Sequence, residues 1–193
     1  MGRPREFDID KALECALQVF WKKGYEGASL SDLTEAMGIN RPSLYAAFGN
    51  KEELFRKVID RYAEGPAAYV RAAMDEPTAR AVVERLLYGA LGVLSDSGHP
   101  TGCLMVQGAL SCSEASTPIR QELITRRMDG EVALRHRLER AVSQGDLPAG
   151  TDCGDLARFV TTVIHGMGIQ AVNGATREEM TRVIQMTLRA WPT

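Results

Sequence analysis

Apolar residues recur at three- and four-residue spacing from one end of this sequence to the other, and Gly or Pro interrupts each run. Leu156, Phe159, Val160, Val163, Ile164, Met167 and Ala171 make one continuous stripe; Met180, Val183, Ile184, Thr187, Leu188 and Trp191 make another. Alternating β-branched runs bounded by turn pairs are absent. The spacing therefore predicts an all-α chain of nine or ten helices with no repeat period. The first helix is expected over about 8–23, and the later ones near 67–75, 78–96, 101–113, 117–144, 152–172 and 176–190.

Residues 24–62 carry denser signals. Gly24 supplies a stop for the first helix. Ser29 with Asp32 three residues on fits an N-cap with a reciprocating acid, and Gly38-Ile39 ends the short helix that follows. Asn40 caps a third helix, in which Pro42 is tolerable because first-turn amides have no intrahelical partner. Gly49-Asn50 breaks the chain again, with Lys51 first and Glu53 third in a fourth helix. Two short helices joined by a Gly-containing turn are the helix-turn-helix plan, whose second helix enters the major groove of DNA.

The side chains on that second helix suit the role. Arg41 offers paired donors to a guanine edge, Ser43 a phosphate or base contact, and Tyr45 a phenol to a phosphate. Ala46 and Ala47 permit close approach to thymine methyls. Lys51 stands at a helix start, where amides and dipole already favour an anion. Arg3 and Arg5 precede the first helix, and arginines in an extended arm reach a minor groove. Electrostatics in bulk give no support: the chain has a formal charge of -2, and residues 1–60 hold nine Lys/Arg against ten Asp/Glu.

The segment from Lys11 to Phe55 resembles the DNA-binding domain of the tetracycline-repressor (TetR) family of regulators. The resemblance rests on Phe20, Gly24, Tyr25, Ser29, Leu33, Ala36, Gly38, Ile39, Leu44, Tyr45, Phe48, Lys51, Leu54 and Phe55. It implies an N-terminal three-helix DNA-binding domain over 1–60 and a C-terminal helical ligand-binding and dimerisation domain over 61–193. Asn40, Arg41, Pro42, Ser43, Tyr45 and Ala46 then fall on the start and groove-facing part of the recognition helix, Lys51 on a phosphate clamp, and Ser29 near the DNA backbone. Ala28 stands where Thr is common, and Ala46 and Ala47 where bulkier residues occur, which leaves Arg41 as the main candidate reader of bases.

The resemblance also implies partners: double-stranded operator DNA, a small-molecule effector, and a second copy of the chain joined through helices near 152–172 and 176–190. Gly166, Gly168, Ala171 and Gly174 would permit close approach there. An effector pocket among the central helices is expected to be lined by Leu87, Leu91, Leu104, Met105, Gln107, Leu123, Met128, Phe159 and His165. No cofactor and no metal are expected. None of HExxH, GxSxG or a phosphate loop occurs, so no enzyme activity is expected. Cys15, Cys103, Cys112 and Cys153 show no CxxC spacing. Cys103 and Cys112 are the redox candidates, each acting singly or between subunits, since nine residues of helix rise by about 13.5 Å. No stretch looks able to span a bilayer or act as a secretion signal, which points to the cytoplasm. Two alternatives stay open: a protein-protein interaction module that keeps the helix-turn-helix core without DNA contact, and a thiol-based redox-sensing regulator.

Overall fold

The computed structural model describes residues 7–110 and 116–192. The described residues form helices and turns, with no strand among them. In chain order the helices are α1 (Ile9–Gly27), α2 (Leu30–Met37), α3 (Arg41–Phe48), α4 (Lys51–Glu64), α5 (Tyr69–Ala73), α6 (Ala79–Leu94), α7 (Leu104–Leu110), α8 (Thr117–Ser143), α9 (Cys153–Val172) and α10 (Arg177–Arg189).

Local chemistry sets most of these boundaries. Asp8, Ser29, Asn40, Asn50, Thr78, Asp152 and Thr176 each accept a hydrogen bond from a first-turn amide of the helix that follows. Gly24 adopts φ 70°, ψ 175°, so the expected stop is a kink, and helical geometry resumes as far as Gly27. Helix α7 starts three residues later than the spacing suggests, because Gly102 takes φ 93°. That conformation turns the Gly102 carbonyl toward Trp21, whose indole Nε1–H donates to it at 2.9 Å.

Two cores fill the molecule. The first lies among α1–α4 and contains Leu17, Phe20, Trp21, Leu33, Leu44, Phe48, Leu54, Phe55 and Ile59. Phe55 meets Phe20 edge-on at 4.9 Å and Tyr25 at 5.1 Å, a favoured aromatic geometry. Three side chains from much later in the chain complete this core: Leu104 of α7, and Ile119 and Leu123 of α8. The second core joins α5, α6, α9, α10 and the C-terminal half of α8 through Val83, Leu87, Leu91, Leu134, Leu138, Val160 and Ile184.

Helix α8 is thus a rod of 27 residues, about 40 Å long, that contributes to both cores. Cys103 packs against both as well. Charged pairs reinforce the junction on its surface. Arg56 of α4 meets Glu122 of α8 at 2.7 Å, and Arg126 of α8 meets Asp60 of α4 at 2.7 Å and Glu122 at 3.1 Å. Such half-exposed pairs contribute little individually, so the buried apolar contacts dominate the join.

Candidate nucleic-acid interface

The α2–turn–α3 unit is built from reciprocal caps. The Asp32 amide donates to Ser29 Oγ at 3.0 Å, and the Ser29 amide donates to Asp32 Oδ2 at 2.9 Å. Lys23 of α1 pairs with Asp32 Oδ1 at 2.6 Å. The Lys23 ammonium, then the Ser29 N–H and O–H, hold the Asp32 carboxyl well below the usual carboxylate range. Gly38 ends α2 in the left-handed region at φ 67°, and the Ile39 amide bonds back to Thr34 O at 3.0 Å. Asn40 then accepts from the Ser43 amide at 2.8 Å.

This arrangement fixes which way α3 faces. Leu44 and Phe48 anchor it in the first core. Arg41, Pro42, Tyr45 and Ala46 stand in solvent on the opposite face, with Tyr45 48% exposed. Ser43 is half-buried, and Ser29 and Asn40 are exposed at the starts of their helices. Arg41 is not splayed into water: its Nη2 donates to Ser31 Oγ on α2 at 3.0 Å.

Gly49, at φ 78°, makes the turn into α4, where Asn50 and Glu53 form a second reciprocal cap. Lys51 opens α4 with its ammonium 4.5 Å from the centre of the Tyr25 ring. Desolvation lowers its pKa, and the Glu26 charge opposes that shift. Together the exposed edge of α3, the Tyr45 phenol and the Lys51 ammonium at a helix start offer donors to base edges and to phosphates. Arg3 and Arg5 lie outside the described residues.

The expected pocket residues are spread over both cores and the surface. Leu87 and Leu91 are buried in the second core, and Leu104 and Leu123 in the first. Met105 and Gln107 are half-buried on α7. Met128, 61% exposed, and Phe159 stand on the surface of α8 and α9. His165 of α9 is half-buried; burial and then the charge of Arg127 on α8 push its pKa down, with Glu131 opposing. An apolar stripe reports burial or a partner, and it does not distinguish either from a cavity lining.

On the outer face of α9 and α10 runs an open groove of about 700 Å³, lined by Val163, Gly166, Gln170, Asn173, Gly174 and Val183. Nothing lies within 4 Å of where a Cβ would stand at Gly166 or Gly174, so both are open to close approach. Gly168 and Ala171 differ from expectation. They turn inward, with the Gly168 Cβ position 3.4 Å from Cys103 and Ala171 in the second core. Of the thiol candidates, Cys112 lies outside the described residues. Cys103, half-buried, accepts a hydrogen bond from the Tyr62 hydroxyl at 3.5 Å.

The sequence reading missed Ser31 and the Trp21–Gly102 contact. Ser31 could have been found from the helix-turn-helix plan itself, which brings the first turn of α2 close to the start of α3. The Trp21 contact spans 81 residues and leaves no local signal.

Residues 12–58 match the family described as bacterial regulatory proteins, tetR family, and residues 77–187 match the tetracyclin repressor-like C-terminal domain. The HTH-type transcriptional repressor ComR of Escherichia coli (strain K12) is 37% identical over 193 residues, covering 99% of this chain and 92% of that protein. The repressor BdcR of the same organism is 29% identical over 184 residues, covering 93% and 86%. Among solved structures, a cysteine mutant of the TetR-family regulator CifR, complexed with a 26-bp double-strand operator DNA, superposes with a TM-score of 0.94 at 44% identity, covering 98% of this chain and 100% of that one.

Proposed function

The chain belongs to the tetracycline-repressor family of bacterial regulatory proteins, a family of DNA-binding transcription regulators, and from that premise we propose that it is a repressor that binds a palindromic operator as a homodimer and lets go when a small molecule binds. The observation that carries this reading is the exposed face of α3, where Arg41, Pro42, Tyr45 and Ala46 stand clear of the core, followed by Lys51 at the start of α4. Arg41 reads a base edge; Tyr45, Ser43 and Lys51 contact phosphates; Ala46, with Pro42 in place of Ala47, which packs against the first core, meets thymine methyls. Ser29 and Asn40 approach the backbone, and Arg3 and Arg5 reach the adjacent minor groove.

Dimerisation uses the outer face of α9 and α10, where Ile169, Val172, Val183 and Met186 are exposed and Gly166 and Gly174 admit a close partner helix. A twofold axis there presents two recognition helices about 34–36 Å apart, one turn of DNA. An effector among the central helices favours a conformation with another spacing and so shifts the population off DNA. On this reading Met105, Gln107 and His165 are the accessible polar or polarisable contacts of the pocket, and Leu87, Leu91, Leu104 and Leu123 are the packing behind it. Among the described residues no helix is long and apolar enough to cross a membrane. The work is assigned to the cytoplasm, and the protein is assigned no catalytic step.

The test is a salt titration of binding to the DNA upstream of the protein's own gene, with unrelated DNA as control, repeated with Lys51→Ala. Expected are steeply salt-dependent, sequence-selective binding, and for Lys51→Ala a loss shared by all sequences with a shallower salt slope. Absence of binding at low salt, or an unchanged slope, would favour the interaction-module alternative.

A second reading has one observation in its favour: Cys103 touches both cores and bonds Tyr62 of α4. Hydrogen peroxide would take two electrons from its thiolate, giving a sulfenate and water, and the added oxygen would displace the Tyr62 hydroxyl. Peroxide should then weaken operator binding in the wild type and not in Cys103→Ser. A retained response in Cys103→Ser refutes it.

A further inference from the structure

We propose that Ser31, on the supporting helix α2, is a specificity-determining positioning residue: it holds the Arg41 guanidinium in the pose that reads one guanine in each half-site. The inference rests on the operator-binding reading above and adds the base that is read and the side chain that sets the reading.

Two observations support it. The first is the contact itself. Arg41 is the first residue of α3, and its Nη2 donates to Ser31 Oγ at 3.0 Å although both side chains are exposed. A free arginine samples many rotamers, and most of them miss a base edge; a tether at one nitrogen removes much of that freedom before DNA arrives. The guanidinium has five N–H donors, so the tether leaves a pair for the DNA.

The second is the poverty of the rest of the face. Pro42 and Ala46 bring no donor or acceptor to a base edge. The Asn40 side-chain Oδ1 accepts from the Ser43 amide at 2.8 Å, so the side chain is held at the helix start as the α3 cap, and turning it to read adenine would cost that cap. Tyr45 has a single hydroxyl on a long ring, suited to the backbone. With Ser43 half-buried and assigned to a phosphate, hydrogen-bonded base reading on α3 concentrates on Arg41. In the major groove, guanine presents two adjacent acceptors, O6 and N7, which match two parallel N–H donors. Each half-site should carry one tightly constrained G·C pair, with neighbours constrained only through thymine methyls and DNA shape.

The experiment is selection from a library of random double-stranded DNA by wild type, Ser31→Ala, Ser31→Thr and Arg41→Ala, each first shown by circular dichroism to keep its helix content. Wild type should enrich a palindrome with one dominant guanine per half-site. Ser31→Ala should return the same palindrome with the preference at that position alone reduced about five- to tenfold, at an unchanged salt slope. Ser31→Thr, which restores a hydroxyl, should recover it, and Arg41→Ala should abolish it. A full guanine preference in Ser31→Ala overturns the proposal. So does a loss shared equally by all sequences with a slope shallower by about one, because Ser31 would then be a phosphate contact. If wild type enriches no sequence at all, it is the operator-binding reading that fails.

Discussion

Replacing Trp21 by Phe probes the join between the DNA-binding helices and the rest of the molecule. Trp21 is 2% exposed, and its indole N–H donates to the Gly102 carbonyl at 2.9 Å. Its ring meets Tyr62 edge-on at 4.9 Å and stacks on His99 at 5.2 Å. Phenylalanine keeps a ring in place but has no donor. The buried Gly102 carbonyl is then left without its partner, which costs about 1–3 kcal/mol. The smaller ring leaves a void of roughly 40 Å³, which at about 24 cal/mol per Å³ costs about 1 kcal/mol more. The expected loss is therefore about 2–4 kcal/mol. Urea unfolding followed by far-ultraviolet circular dichroism measures it, at one fixed protomer concentration because association adds to apparent stability. The slope should be unchanged and the midpoint lower. Trp191, buried in the second core, remains as a fluorescence reporter of that half. A loss under about 1 kcal/mol would refute the reasoning, because it would mean that the Gly102 carbonyl finds another donor and that the ring's surroundings close over the gap.

Gly49→Ala should unfold or misdirect the α3–α4 turn. A Cβ there meets the Glu53 carboxylate and the backbone sits at φ 78°, so thermal stability and DNA binding fall together, whereas wild-type binding would contradict the geometry. Asp32 predicts an acid limb. Its folded carboxyl titrates below its unfolded value, so its stabilising contribution is complete above about pH 4 and is lost as pH falls toward the folded value. Asp32→Asn should flatten the stability profile between about pH 4 and pH 2, and an unchanged acid limb would show that other carboxylates cause it. Arg137 is 6% exposed and donates to the Glu76 carbonyl at 2.7 Å, while its Nε and Nη1 have no partner. Arg137→Met should leave the melting temperature nearly unchanged or raise it, since a poorly paired buried guanidinium is costly; a drop beyond roughly 6 °C would show that the charge is better compensated than its contacts indicate.

What was legible in the sequence was local. The Ser29–Asp32 and Asn50–Glu53 exchanges span three residues, and so does the Asn40 cap on Ser43, so each could be read without knowing the fold. The all-α class and the exposed residues of α3 followed from the same short-range chemistry. Contacts between distant segments were illegible. The Arg56–Glu122 pair spans 66 residues, and nothing near either residue announces the other. Arg137 is one of many charges along α8, and what buries it is the approach of the α5–α6 turn, 61 residues away. The surroundings of the pocket candidates were illegible for the same reason: Leu91 and Leu104 are equally apolar in sequence, and tertiary packing sends them to different cores.

The three side chains that α7 and α8 lend to the first core bear on how such proteins can be recombined. Residues 1–60 look like a reading head that could be cut off and grafted onto another sensor. Cutting there would strip Leu104, Ile119 and Leu123, and Tyr62 of α4 itself, from the core they share with Trp21 and Phe55. A transplanted head would keep its recognition helix and lose its footing, unless the host supplied leucines at matching depth. Exchange of operator preference between relatives is therefore easier by rewriting the surface of α3 than by swapping whole heads, because that surface touches neither core.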